Sequence, residues 1–180
     1  MSVTQPIPWS VAVRIDEVPV TGRHVVLEAG HEVRATLAKP AGVDAIDRLT
    51  ADFDLRPRGR DGLHVTGRVN ATVRQTCVVT LEPLINTIDE AVDVDFTPEH
   101  GRKPSDPNEI ELDADTADEP EPLVGNSVDL GVLATEFLLL GVDPYPRKPD
   151  AAFAPPAAGD AAGSPFAALA TLRKKDATEE

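Results

Sequence analysis

Apolar and polar residues alternate with a period of two through much of the first hundred positions. Trp9, Val11, Val13 and Ile15 are separated by Ser10, Ala12 and Arg14, which predicts a half-buried strand. The stretch Asp16–Gly22 contains Pro19 and predicts a turn. A short apolar stretch, His24–Leu27, leads into residues 28–39, where Val33, Leu37 and the alanines permit about three helical turns before Pro40 and Gly42 stop them. The clearest alternation follows. Leu49, Ala51, Phe53 and Leu55 interleave with Thr50, Asp52, Asp54 and Arg56, and Pro57, Gly59, Asp61 and Gly62 supply turn residues. On the return, Leu63, Val65, Gly67, Val69, Ala71 and Val73 share one face, with His64, Thr66, Arg68, Asn70, Thr72 and Arg74 on the other. Two such runs around a short turn predict an antiparallel hairpin with one wet and one buried face.

Cys77 and Val79 continue the inward parity, and the step Glu82–Pro83 breaks the strand before a third run. There Leu84, Ile88, Val92, Val94 and Phe96 share a face, while Asn86 and Glu90 fall among them and predict a bulge or an exposed strand end. Pro98 closes the run. A helix is predicted after Ser127 or Asp129, either of which can cap it, with Leu130, Leu133, Ala134, Phe137 and Leu138 at helical spacing. Leu139 and Leu140 are expected to widen its apolar face, Gly141 to cap its end, and Pro144 and Pro146 to prevent its continuation. This helix is expected to cover the buried face of the sheet.

Composition narrows the picture. The 180 residues suffice for one domain with tails. Only 4% are aromatic, so the core must be built from Val, Leu, Ile and Ala. Seventeen prolines argue against an all-helical bundle. No apolar run approaches the roughly 20 residues of a membrane span, and the N-terminus lacks the basic and apolar regions of a secretory signal. A cytoplasmic address is the resulting expectation. The net charge is −14, but it is concentrated: between Asp89 and Glu121 thirteen acids stand against Arg102 and Lys103. That argues against broad nucleic-acid binding while leaving room for a local basic contact. Residues 99–122, with four prolines, read as a mobile acidic loop in which Glu109–Leu112 adds at most a short strand. The Ala/Pro/Gly-rich tail from Pro149 to Ser164 reads as disordered, and Phe166, Leu169 and Leu172 with Arg173, Lys174 and Lys175 permit one or two amphipathic turns.

Catalytic groupings are thin. A single cysteine, Cys77, excludes an internal disulfide and a multi-cysteine zinc site, and its inward parity makes it a small buried hydrophobe. His24, His31, His64 and His100 lack metal-site spacing and are expected to face solvent. There is no phosphate loop, nucleophile elbow or zincin helix motif, and the acidic loop lacks the ligand spacing of a calcium loop. No cofactor, metal site or small-molecule substrate is expected.

Two segments stand apart. One is Gln75-Thr76-Cys77-Val78-Val79-Thr80-Leu81-Glu82-Pro83-Leu84; the other is Val128-Asp129-Leu130-Gly131 through Glu136, followed by Leu140-Gly141-Val142-Asp143-Pro144-Tyr145-Pro146-Arg147-Lys148. Together they resemble the YceD family in its alphaproteobacterial form, over about Trp9–Lys148, and Phe166–Leu172 is similar to the family's C-terminal F-x-x-L tail. The resemblance implies a role in accumulation of large-subunit ribosomal RNA, and so in ribosome biogenesis. It carries over no catalytic residue. Many relatives read C-x-x-C where this chain has Cys77 and Thr80, which removes the basis for a metal or redox role here. Cys77, Thr80, Glu82, Pro83, Asp129, Gly131, Pro144 and Pro146 are then motif residues with a structural part to play.

Arg147 and Lys148 follow two prolines and stand beside Tyr145. An aromatic next to adjacent cations suits an RNA loop, where stacking and phosphate contact combine. The plainer expectation is that Tyr145 packs over the helix end. The acidic loop suggests a second route, attraction of a basic ribosomal protein, beside the simpler one of a soluble linker. The expected architecture is α+β: an antiparallel sheet, able to curl towards a barrel, covered by one or two helices. A domain of residues 1–148 and a tail of residues 149–180 complete it. The expected function is a non-enzymatic biogenesis factor that binds large-subunit rRNA or a protein associated with it, with no membrane partner. An acidic adaptor or chaperone-like module for a basic client, without RNA contact, is the alternative, and nuclease treatment separates the two. An enzyme with Cys77 as nucleophile is a third reading, which full protection of Cys77 from alkylation would eliminate.

Overall fold

A computed structural model of the chain describes residues 8–59, 61–98, 120–123 and 125–153. In chain order it contains β1 (Ala12–Arg14), a single 3₁₀ turn (Ile15–Glu17), β2 (Arg23–Glu28), α1 (His31–Ala38), β3 (Ala45–Arg58), β4 (Gly62–Thr76), β5 (Pro83–Pro98), β6 (Glu121–Leu123), β7 (Ser127–Asp129) and α2 (Leu130–Gly141). Five strands form one sheet in the order β2-β3-β4-β5-β6, and β1 pairs with β7 in a second, two-stranded sheet. The first four strands of the large sheet are an antiparallel meander; β6 joins β5 in parallel at Phe96–Pro98. The sheet is therefore mixed and ends at β2 and β6 without closing into a barrel.

The strongly alternating strands bury the residues expected of them. Leu49, Phe53, Leu55, Leu63, Val65, Val69 and Val73 are fully buried, and α2 packs over β4 and β5, adding Leu130, Leu133, Ala134 and Leu138 to the same core. Helix α1 lies against β3 and contributes Leu37 and Ala38 to the same core. The opposite face of the meander is wet and laced with charge pairs: Arg68–Asp89 at 2.6 Å, Arg74–Asp47 at 2.8 Å, His64–Asp95 at 2.8 Å and an Arg58–Asp95 contact. The aspartate clamp leaves His64 only half exposed, against the expectation of a solvent-facing ring.

Several sequence expectations are corrected. The strand predicted over Trp9–Ile15 pairs only at residues 12–14, because the Val11 N–H donates to the Asp129 carboxylate (2.9 Å) instead of to a neighbouring strand. Trp9 and Val13 are nevertheless buried, as the alternation requires. Helix α1 starts at His31 rather than near residue 28, since Arg23–Glu28 pairs with Thr50–Leu55 of β3. Pairing between β4 and β5 runs unbroken from Leu63↔Phe96 to Thr76↔Pro83, with no bulge at Asn86 or Glu90; the register shift lies in β3, between Ile46 and Arg48. Asn86 needs no bulge because its amide donates to Gln75 Oε1 at 2.7 Å, inside the apolar row.

The chain divides into two units, Met1–Lys148, which holds every helix and strand above, and Pro149–Glu180, of which residues 149–153 are described. The expected acidic loop lies outside the described residues as far as 119; residues 121 and 122, assigned to it, belong to β6. The amphipathic segment at 166–175 and His100 also lie outside the described residues.

Candidate functional site: a turn strapped by the helix exit

Both sequence motifs meet at one end of the sheet. Strand β4 ends at Thr76, and Cys77 sits not in the strand, as the parity suggested, but at the start of a tight turn to Pro83. The turn is held by its own backbone: Cys77 N–H donates to the Glu82 carbonyl and Leu81 N–H to the Cys77 carbonyl, both at 2.9 Å. Pro83 then opens β5, at the first position of a strand where its missing N–H is tolerated.

The segment leaving α2 lies across this turn as a strap. Val78 N–H donates to the Pro146 carbonyl (2.9 Å), and Lys148 N–H approaches Cys77 Sγ at 3.5 Å, the same distance as Thr80 N–H. Lys148 Nζ pairs with Glu82 Oε2 at 2.8 Å, bridging strap and turn from outside. A buried amide relay anchors the start of the strap: Gln75 Nε2 donates to the Asp143 carbonyl at 2.8 Å, and the Asp143 carboxylate accepts from Tyr145 N–H at 2.8 Å.

Cys77 is the hub of this arrangement. Its sulfur is buried, yet it receives a side-chain hydrogen bond from Thr80 and the N–H groups of Lys148 and Thr80; these outweigh the upward push of burial and bring the thiol down to about 6. Thr80 thus acts as a donor to the Cys77 sulfur within the turn. Lys148 likewise holds the Glu82 carboxyl below its ordinary range, first through the hydrogen bond and then through its charge. Among the described residues no group of three or more metal-ligating side chains occurs.

Asp129 and Gly131 serve the other end of α2. The Asp129 carboxylate caps the helix by accepting from Gly131 N–H (3.0 Å) and Val132 N–H (3.1 Å), and it accepts from Ser10 Oγ and Val11 N–H as well. A side chain at Gly131 would lie 2.6 Å from the Trp9 carbonyl oxygen, so glycine is what lets the N-terminal segment cross the helix start. Gly141 is not a left-handed cap, as the sequence suggested. It is the last residue of α2, and a Cβ there would collide with Ile88 and Glu90 of β5.

The strap exposes a distinct set of side chains. Tyr145 is 71% exposed and Pro146 is buried, which reverses the expectation that Tyr145 packs over the helix end. Arg147 is exposed as well, whereas the Lys148 ammonium is held by Glu82, so of the two neighbouring cations only Arg147 has no side-chain partner among the described residues. On the turn, Val78 and Leu81 are exposed, and Leu81 has a left-handed backbone (φ +58°) that disfavours any side chain. Sequence reasoning missed Gln75, Asp143 and Leu81. Gln75 and Asn86 left one usable signal, two amides on inward parity in adjacent strands, while nothing in the order of residues marked the backbone of Leu81.

Fold and site together define a small α+β protein whose strapped turn carries exposed side chains. No curated protein and no solved structure matches the chain, but a family model does, over residues 65–173. The chain belongs to the YceD family, described as large ribosomal RNA subunit accumulation proteins. That match runs from Val65 within β4 through the cysteine turn, α2 and the strap, and the family's description names accumulation of a ribosomal RNA. No helix among the described residues is long and apolar enough to cross a membrane.

Proposed function

We propose that this protein acts in the cytoplasm as a non-enzymatic ribosome-biogenesis factor, with residues 1–148 as its working domain, and that it contacts large-subunit rRNA through Tyr145 and Arg147. The observation that supports this most is the exposure of Tyr145 beside Arg147 on a strap tied down at both ends. A ring and a guanidinium fixed in this way lose little freedom on meeting an unpaired base and a phosphate. Lys148 contributes through the strap itself, since its ammonium already neutralises Glu82.

The test is the ratio of large- to small-subunit rRNA after the protein is depleted in its own host. A selective fall in the large rRNA, restored by the native chain but not by a Tyr145→Ala/Arg147→Glu double variant, is the expected result. An unchanged ratio on depletion would remove the biogenesis role. Full restoration by the double variant would remove the strap as the contact.

The acidic adaptor for a basic client is the second reading. It is favoured by a separate feature, an acid-flanked groove on the far side of α2.

A further inference from the structure

Helix α2 has two apolar faces and buries only one. Leu130, Leu133, Ala134 and Leu138 face the core, while Val132, Glu136, Leu139 and Leu140 recur at helical spacing on a second face. Leu139 and Leu140, expected to widen the helix's apolar face, do so on a side the core does not cover, at 42% and 76% exposure. This second face forms one wall of a groove of about 1030 Å³, whose opposite wall includes Val94 and Phe96 of β5 and Pro122 of β6. The groove is mainly apolar, with Glu121 and Glu136 among its few charges and, among the described residues, no lysine, arginine or histidine in its lining.

Charge decides between the occupants such a groove can take. Desolvation, and then the charge of Glu121, pushes the Glu136 carboxyl above its ordinary range, so the acids there are mutually unfavourable without a cation. RNA brings phosphates to a carboxylate pair and is repelled. A second copy docking this face about a twofold axis brings its own acids to an acid-flanked groove, with no cation from the described lining to offset them. A basic amphipathic segment meets both requirements, apolar side chains for the walls and cations for the acids.

We infer that the groove between α2 and β5–β6 docks a basic amphipathic segment of a partner protein, with apolar anchors against Phe96 and Val132 and a lysine or arginine paired with Glu136. The inference rests on the biogenesis reading for the source of that partner, a protein of the large ribosomal subunit, but uses a surface separate from Tyr145 and Arg147.

The experiment offers RNA-free total protein extracted from the host's large ribosomal subunits to the full-length chain, immobilised, at physiological salt. One or a few basic proteins are expected to be retained. Their retention should fall at least tenfold with Glu136→Lys and with Leu140→Asp, both at exposed positions, and only a few-fold with Glu136→Gln, while Tyr145→Ala leaves it unchanged. No retention, or retention within twofold of native in Glu136→Lys and Leu140→Asp, overturns the inference; so does binding of the host's purified large-subunit rRNA that these same two variants abolish, or a dimer in solution that they dissociate. If depletion lowers the large rRNA and the Glu136→Lys variant restores it fully, the groove assignment falls alone. If depletion leaves the ratio unchanged, the biogenesis reading falls, whatever the retention shows.

Discussion

Two side chains show how single residues set the behaviour of this protein. Burial raises the Asp129 carboxyl, but hydrogen bonds from Ser10, Val11, Val132 and Gly131 outweigh that and hold it below its ordinary 3.8. A carboxylate depressed in this way stabilises the folded state above 3.8, and the contribution is lost as pH falls through the lower folded value. Asp129→Asn should therefore lose stability at neutral pH and show a flatter acid limb, and Asp129→Ala should cost about 1–3 kcal/mol in denaturant unfolding, since a cap and a tie to residues 10–11 go together. Cys77 has the same sign at higher pH. Its folded value of about 6 lies below the ordinary 9.0, so native stability should rise relative to Cys77→Ser as pH increases between those values. Low pKa does not mean reactivity here, because the sulfur is buried. Alkylation of the native protein by iodoacetamide should run at least ~10-fold slower than in denaturant, limited by opening of the turn. Rapid native labelling would revive the nucleophile reading.

Among the elements, the helix start is the most constrained. Alanine at position 131 gains about 1 kcal/mol of helix propensity over glycine, but its Cβ would press on the Trp9 backbone, which cannot rotate away as a side chain can. Overpacking of that kind costs about 1–3 kcal/mol. Gly131→Ala should be net destabilising in thermal or denaturant unfolding and should speed amide exchange in β1; an unchanged midpoint would show that the crossing adjusts freely. The strands β3 and β4 were legible in the sequence because one face of each is wet and the other dry, so every second residue reports its side. The same holds for the core-facing residues of α2. Of the β1–β7 pair only β1 left a trace, in the alternation over Trp9–Ile15; β7 did not, because three residues carry almost no periodicity and its partner is more than a hundred positions away. Leu139 and Leu140 were ambiguous for a different reason: apolar spacing marks a face that some surface covers, not which surface. At the site, motif residues were visible as a group, but the strap was not, because its ties are mostly backbone N–H groups and carbonyls that residue identity does not encode.

At the scale of the whole molecule, the features divide into a buried interior and two separate exposed surfaces along the course of α2. The exit of α2 presents Tyr145 and Arg147, and its second face presents the acid-flanked groove. The two are separable by variants, since none of Tyr145, Arg147, Glu136 or Leu140 belongs to the buried core. The large sheet is a run of neighbours: β2, β3, β4 and β5 each pair with the strand before or after them in sequence. The β1–β7 sheet is the exception, joining Ala12 to Asp129. Synthesis proceeds from the N-terminus, so β1 is made long before the strand it pairs with. Val11 waits for a carboxylate that is added 118 residues later. Until then β1 lacks the contacts it makes with β7 and α2, while the strands of the meander depend only on neighbours in sequence. The first turn of α2 thus ties residues 10–11 to the helix start through a single carboxylate.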